Sequence, residues 1–291
     1  MSETVYDAVV VGGGPSGATI ATDLARAGRK VLLLDRAGRI KPCGGAVPPR
    51  LLEEFGIPHS LLVARARAAR MIAPSDRKVD MPVGEIGYVG MVDRDVFDEW
   101  LRDRAAQAGA ERRTGTFEHI ERDDGGATVC YKESRDGAMQ RVRTRLVIGA
   151  DGARSKVAAQ NIAGAERMKC VFAYHEIIKS PANDSDGFDG SRCDVFYQGH
   201  LSPDFYAWVF PHGETASVGV GSANKGFSLR GAVARMRGDL NLDSCETIRR
   251  EGAPIPLKPL KRWDNGADVI VAGDAAGVVA PASGEGIYYA M

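Results

Sequence analysis

Cysteine is scarce and unpatterned. The five in 291 residues, Cys43, Cys130, Cys170, Cys193 and Cys245, include no CxxC pair and are odd in number. This speaks against a disulfide framework or a zinc site, so reduced thiols in the cytoplasm and no metal are expected. Net charge is missing as well: 38 Lys and Arg balance 38 Asp and Glu. Nucleic-acid binders show a basic excess, so no nucleic-acid partner is expected. No apolar run approaches the roughly 18 residues of a spanning helix. No basic segment followed by an apolar one opens the chain as a secretory signal would. Peripheral contact with a membrane stays open. What the chain has in excess is glycine, 35 residues, about 12% where roughly 7% is usual. These glycines are too dispersed for a linker, so they answer specific backbone needs. With 44% hydrophobic and 26% charged residues the balance is that of a soluble globular protein. The length is about twice the ~150-residue prior for one domain, which points to one large or two interleaved domains.

Val5–Val11 is a short β-branched run that stops at Gly12-Gly13-Gly14, which predicts a buried parallel strand. Ser16–Gly28 carries Ala21, Leu24 and Ala25 at helical spacing, with Gly28 as a stop, and Lys30–Asp35 reads as a second buried strand. Together they form a βαβ unit. Asp93–Gly109 predicts an amphipathic helix with Phe97, Trp100, Leu101 and Ala105 on its inner face. Glu118–Arg122, Ala127–Lys132 and Gln140–Ile148 alternate with period two across glycine-containing turns, a three-stranded antiparallel meander. From about Cys170 to Arg262 short alternating segments, among them Ala207–Phe210 and Thr215–Gly221, predict a mainly antiparallel sheet. Asp268–Ala272 returns to a buried parallel strand.

Gly12-Gly13-Gly14-Pro15-Ser16-Gly17 satisfies GxGxxG between a strand and a helix. Gly12 permits the tight turn, Gly14 lets backbone approach a pyrophosphate, and Gly17 lets helix and strand pack closely. The helix start through Pro15 and Ser16 offers unpaired N–H groups to phosphates. Asp35 follows Gly14 by 21 residues, with Arg36 after it, where a carboxylate can accept from ribose hydroxyls. This fingerprint alone leaves FAD and NAD equally open.

Two distant segments separate them. Leu146–Ser155 (LVIGADGARS) runs from a buried strand into Asp151-Gly152, and Val269–Gly277 (VIVAGDAAG) places Gly273-Asp274 at a strand end. These resemble the DG and GD motifs of the flavoprotein hydroxylase superfamily, whose type member is p-hydroxybenzoate hydroxylase. The resemblance implies FAD, with the Asp274 position at the ribityl chain and the Asp151-Gly152 segment near the pyrophosphate. It also implies that Gly284, Gly286 and Ile287 open a final helix near the flavin. Ile40–Pro48 (IKPCGGAVP), Pro203–Pro211 (PDFYAWVFP) and Gly252–Pro259 (GAPIPLKP) narrow it further. With them the whole chain is similar to the geranylgeranyl reductase family, in its chlorophyll and bacteriochlorophyll branch.

That resemblance implies an α/β (α+β) protein: a Rossmann-like FAD-binding domain of the p-hydroxybenzoate hydroxylase type with an inserted antiparallel β-sheet substrate domain. The expected division is 1–72, 91–169 and 265–291 for the FAD domain and 73–90 and 170–264 for the substrate domain. It implies Cys43, Gly44 and Gly45 beside the flavin ring, Arg94 as a further FAD contact, and Tyr206 and Trp208 at a prenyl pocket. Cys43, Tyr206 and Trp208 are the candidate catalytic residues. The implied activity is that of an oxidoreductase acting on CH–CH groups. NADPH reduces FAD, and prenyl double bonds of a geranylgeranyl-tailed pigment or of geranylgeranyl diphosphate are reduced to phytyl in photosynthetic pigment synthesis. A location in the cytoplasm, with peripheral contact to a photosynthetic membrane, goes with such a substrate. The alternative is an FAD-dependent aromatic monooxygenase of the same superfamily. Family members continue past the position of Met291, so further chain after it is expected.

The residues themselves agree with this. Two glycines after Cys43 let backbone approach a planar ligand without a Cβ in the way. An aromatic pair at i and i+2 shares one strand face and suits an apolar chain, with the Tyr206 hydroxyl as a polar handle. His175 and His212 read as structural histidines.

Overall fold

The computed structural model describes residues 4–36, 38, 40–182, 184–185 and 187–291, without the side chain of Ile86. Strands β1 (Val5–Val11), β2 (Val31–Asp35), β3 (Ala46–Val47), β4 (Leu62–Ala66), β5 (Ala68–Ile72), β6 (Lys78–Pro82) and β7 (Val89–Val92) come first, with helices α1 (Pro15–Arg26) and α2 (Pro49–Glu54). Helix α3 (Arg94–Gln107) precedes β8 (Glu111–Thr114), β9 (Thr116–Asp123), β10 (Gly126–Lys132), β11 (Met139–Gly149) and helix α4 (Lys156–Asn161). The chain ends with β12 (Cys170–Lys179), β13 (Arg192–Phe196), β14 (Ala207–His212), β15 (Thr215–Ser222), α5 (Leu229–Asp239), β16 (Thr247–Pro256), β17 (Val269–Val271) and α6 (Ile287–Ala290).

Two compact units divide these elements. The first holds Met1–Ile40, Phe97–Lys169 and Pro256–Met291. Its sheet runs β8-β2-β1-β11-β10-β9, with β17 also on β11. β1 pairs parallel with both β2 and β11, as a βαβ unit requires. β11 is long because one edge serves two neighbours. Met139–Thr144 pairs antiparallel with β10, and Val147–Gly149 pairs parallel with β17. The meander and the parallel sheet are thereby one sheet. Val9, Leu32, Leu34, Val147 and Val271 meet Phe117, Val129 and Tyr131 in one core. Phe97, Leu101 and Ala105 of α3 are buried as its periodicity predicts, while Trp100 is half-exposed under the Arg104 guanidinium, 4.9 Å from the ring centroid. α1 ends at Arg26, two residues before Gly28, whose φ of 73° carries the chain out of the helix.

The second unit holds Lys41–Val96 and Cys170–Ile255. Its large sheet runs β16-β12-β15-β14-β13-β5-β6, and a small one runs β3-β7-β4. Pairing in the large sheet is mainly antiparallel, with β13 and β5 parallel in register from Arg192↔Ala68 to Phe196↔Ile72. That pairing corrects the expected division. Residues 41–72 and 91–96 belong to the second unit because β3, β4 and β5 find their partners there. Residues 256–264 belong to the first, where the Leu257, Leu260 and Val271 N–H groups donate to Lys169, Ala276 and Trp263 carbonyls. Helix α5 packs Ala232, Val233 and Met236 onto Ile178, Val218 and Val220. Its apolar stripe is diluted by Gly231 and Gly238, which hides it from the sequence pattern, although Ser228 caps it by accepting from Gly231 N–H at 3.2 Å. No helix among the described residues is long and apolar enough to cross a membrane.

Candidate functional site

In the first unit the turn after β1 is closed by contact, not by side chains. The Gly12 N–H donates to Leu34 O at 2.8 Å and the Ala150 N–H to Val11 O at 2.8 Å, so β1 is held on both edges to its last residue. A Cβ on Gly17 would lie 1.8 Å from the Gly12 carbonyl oxygen, and one on Gly12 would lie 2.3 Å from Ala150 O. α1 then starts with Pro15 at its first turn, Gly14 as an extended N-cap with no side-chain bond, and no acidic residue in that turn. Its first N–H groups are therefore left for an outside acceptor, and the helix end favours an anion. The buried Ser16 Oγ has no protein partner.

Asp35 stands at the end of β2. Arg102 Nη1 donates to its Oδ2 at 3.1 Å and to Gly13 O at 3.2 Å, tying the acid to the glycine turn. Arg36 is exposed. Asp151 is used by the fold. The Ser155 hydroxyl donates to its Oδ1 at 2.5 Å, and the Lys156 and Val157 N–H groups donate to its Oδ2 at 2.8 and 3.3 Å. Burial nevertheless pushes its carboxyl above the usual range. What the Asp151-Gly152 turn presents to Gly12 is backbone: a Gly12 Cβ would sit 2.9 Å from Asp151 Cα. A Cβ on Gly273 would be 2.8 Å from Ser16 Cβ, so the end of β17 lies over the start of α1. Asp274 follows, and a Cβ on Gly286 would be 3.5 Å from its Oδ1. Gly284 and Gly286 lead into α6, which opens with the buried Ile287. Glu285 between them accepts the Tyr288 N–H at 2.9 Å through Oε1, while its buried Oε2 has no protein partner. Burial pushes this carboxyl up, and Asp274 adds to the shift. The first unit thus gathers Gly12–Gly17, Asp35, Asp151-Gly152, Gly273-Asp274 and Gly284–Ile287 around one helix N-terminus. Unpaired N–H groups, an orphaned hydroxyl and an acid beyond them suit a nucleotide diphosphate.

The second unit holds the other set. Trp208, Phe210 and His212 alternate along β14 and so share a face, and Tyr206 precedes the strand in the same alternation, with its ring against Trp208. Trp208 is 5.9 Å from the Tyr206 ring and 6.2 Å from Phe210, and Tyr206 stacks on Phe205 at 4.2 Å. The Trp208 indole is pinned. Its Nε1–H donates to Ser217 Oγ at 3.0 Å, and Ser217 meets His175 Nδ1 at 2.9 Å. His175 Nε2 lies 3.2 Å from Glu251 Oε2, at ion-pair distance but off the hydrogen-bond direction. The Cys43–Gly44–Gly45 loop lies on this face: a Cβ on Gly44 would be 3.1 Å from Phe210 Cδ2 and 3.9 Å from Trp208 Nε1. Burial pushes the Tyr206 phenol far above its usual range, with Tyr197 and Cys43 adding to it. Arg94 is buried at the start of α3.

Sequence reasoning missed Arg102, Ser217 and the His212–Asp93 pair. Only His212 left a signal, two residues beyond Phe210 on the same face. An open hollow of about 360 Å³ lined by Ile72, Phe196, Leu201 and Met236 contains none of the candidate residues. One cluster of metal-ligand type, His119, Glu121 and Cys130, brings its ligand atoms within 4.8 Å of one another. Arg141 already holds Glu121 at 3.2 and 3.3 Å there, and burial keeps the Cys130 thiol raised.

Residues 5–172 match the FAD binding domain family. The chain is 60% identical over 285 residues to geranylgeranyl diphosphate reductase of Rhodobacter capsulatus, covering 98% of this chain and 72% of that protein. It is 36% identical to the chloroplastic geranylgeranyl diphosphate reductase of Oryza sativa, covering 97% of this chain and 63% of that one. A geranylgeranyl bacteriochlorophyll reductase-like protein from Thermoplasma acidophilum superposes with a TM-score of 0.86 at 25% identity, over 99% of this chain and 76% of that one. A dinucleotide cradle in one unit, an aromatic strand face under a CGG loop in the other, and relatives this similar over nearly every residue lead to one conclusion: the chain belongs to the geranylgeranyl diphosphate reductase family, built on an FAD-binding domain.

Proposed function

We propose that the protein is an FAD-dependent reductase that uses NADPH to saturate prenyl double bonds. It converts geranylgeranyl groups, carried on a bacteriochlorophyll-type pigment or as the free diphosphate, to phytyl in pigment synthesis. The observation that carries this reading is the seating of the Cys43–Gly44–Gly45 loop on the Tyr206–Trp208–Phe210 face. The residues present fit FAD: the uncapped start of α1 and the orphaned Ser16 hydroxyl suit the pyrophosphate, and Asp35 suits a ribose. Asp274 and the turn through Gly284 and Gly286 complete that cradle. When bound and reduced, FAD supplies the hydride.

The chain's own residues have two tasks. The aromatic face excludes water and orients an apolar chain. Tyr206 holds a proton. An isolated alkene is a poor hydride acceptor, and the carbon left beside the new C–H bond is far more basic than a phenolate. A phenol kept protonated by burial can therefore donate to it without ionising beforehand. The lipid tail of such a substrate makes peripheral contact with a photosynthetic membrane part of this proposal.

Anaerobic turnover of a geranylgeranylated pigment with NADPH, followed by mass spectrometry, tests the reading. Each step should add two hydrogens. Oxygen insertion that needs air would replace this reading with the monooxygenase, which gains no support from the reductase names of the relatives. Tyr206→Phe should lower kcat by about 100-fold, the lower end of what a positioned acid contributes. Full turnover in that variant would remove Tyr206 from the chemistry.

A further inference from the structure

The reductase reading leaves the last member of the β14 face without a task. His212 is 8% exposed, and both of its ring nitrogens meet acceptors. Nε2 is 2.9 Å from the Gly44 carbonyl oxygen, and Nδ1 is 3.2 Å from Asp93 Oδ1. A peptide carbonyl and an ionised carboxylate can only accept. The ring therefore bridges the Gly44 carbonyl and Asp93, one nitrogen facing each. The hydrogen bond from His212 outweighs burial and holds the Asp93 carboxyl below its usual value, and the Arg249 charge helps.

The loop on the other side of this pair has little freedom. The Val92 N–H donates to Gly45 O at 2.9 Å, the residue after the carbonyl that His212 takes. The Gly45 N–H donates in turn to Cys43 Sγ at 3.4 Å. Gly45 has φ 70°, and a Cβ there would lie 2.6 Å from His212 Cε1 and 2.4 Å from Val92 O. No side chain other than glycine's fits between the ring and the strand.

We propose that His212, held between Asp93 and the Gly44 carbonyl, is the positioning residue that fixes the Cys43–Gly44–Gly45 loop on the aromatic face. The clamp stands on geometry within one unit. Its consequence for prenyl reduction rests on the proposed function. Removing the clamp frees the Gly44 carbonyl and lets the Cys43 thiol leave its place.

The experiment is iodoacetamide labelling of the intact protein, with each cysteine followed by peptide mass spectrometry. It needs neither substrate nor turnover. His212→Phe keeps the ring's bulk and removes both donors. Cys43 labelling should rise about tenfold, the opening that the loss of one buried hydrogen bond to the loop permits. His212→Gln returns one N–H to the position of Nε2 and should recover most of the protection. Asp93→Asn removes the carboxylate that holds the ring from its other side and should give a rise of about threefold. The buried Cys130 and Cys193 should stay unlabelled throughout, which reports an intact fold. Should His212→Phe expose those two as well, Asp93→Asn decides. Wild-type Cys43 labelling in Asp93→Asn, or in a folded His212→Phe, overturns the clamp. Increased labelling in the variants, together with a wild-type protein that reduces no prenyl group, overturns the reductase reading and leaves the clamp standing.

Discussion

Replacing Gly17 with alanine places a methyl carbon 1.8 Å from the Gly12 carbonyl oxygen, far inside the 3.0 Å that real Cβ atoms essentially never breach. The obstacle is backbone, so no rotamer change relieves it, and Ala150 Cβ at 3.1 Å blocks the sideways escape. The start of α1 must move away from β1. Overpacking of this kind costs about 1–3 kcal/mol, and a rigid obstacle puts it near the upper end. The same displacement carries the Ser16 and Gly17 N–H groups away from the phosphate position. Two hydrogen bonds to a charged acceptor at about 1.5 kcal/mol each amount to roughly 3 kcal/mol, or about 100-fold in the FAD dissociation constant. Titration of the apoprotein with FAD, followed by flavin fluorescence, measures this directly. Gly28→Ala is the control: its φ of 73° strains alanine by about 1 kcal/mol, but nothing lies within 4 Å of the new methyl. It should lower stability slightly and leave FAD affinity alone. FAD binding by Gly17→Ala within about threefold of wild type, or an equal loss in Gly28→Ala, would refute the backbone clash as the cause.

Arg102→Ala should weaken FAD binding by about fivefold. The pair with Asp35 is partly exposed, and such pairs are worth about 1 kcal/mol or less. An unchanged titration would mean that Asp35 is positioned without it. Arg237→Ala should lower stability by about 3–5 kcal/mol in urea unfolding, because it strips a buried partner from Glu176 and orphans the Leu242 and Cys245 carbonyls. Burial pushes the Glu176 carboxyl up, but hydrogen bonds from Tyr174 and Arg237 outweigh it and leave the group below its ordinary 4.5. A depressed acid contributes stability above its unfolded value and loses it as pH falls through the folded one. The gap between wild type and Arg237→Ala should therefore be full at neutral pH and shrink below about 4.5. A gap that does not change with pH would contradict this.

The parallel half of the first unit was legible because its strands carry short apolar runs that stop at a glycine or an acid, and Val9, Leu32 and Val147 are fully buried. The border between the units was not legible. Ala68–Ile72 carries an ordinary strand pattern, and nothing in it names Arg192–Phe196 as its neighbour. Pairing partners separated by more than a hundred residues leave no local trace. The site divides in the same way. Gly12, Gly14, Gly17 and Asp35 could be read from spacing, since a turn and two strand ends fix them. Asp151 could be found, but its use could not: only the structure has its carboxylate spent on Ser155 and the start of α4. Arg102, Ser217 and Asp93 are single polar residues in unremarkable surroundings. Their meaning comes from what the fold sets opposite them.

The carboxylates of the first unit raise a question that charge alone poses. Asp35, Asp151 and Asp274 stand at or just after strand ends and Glu285 precedes α6, all about one anion-accepting helix start, where four negative charges would repel a pyrophosphate. Three of the four are quietened in different ways. Arg102 neutralises Asp35. Burial raises Asp151 and Glu285 toward their neutral forms. Glu285 is the informative one, since its Oε2 lacks a protein partner and its position flanks Asp274. A protonated Glu285 can donate a hydrogen bond to a ligand oxygen, and an ionised one cannot. Glu285→Gln keeps the shape and the donor and removes the titration. At a pH below the raised value the two proteins should bind FAD alike. Above it the wild type should weaken relative to Glu285→Gln by about fivefold, the repulsion of roughly 1 kcal/mol expected between like charges in a partly solvated site. Dissociation constants measured from about pH 5 to 9 would show the ratio climb. A ratio that does not change over that range would contradict this: held at one, it would mean that the charge of Glu285 never reaches the cofactor, and held near five, that the carboxyl is ionised throughout.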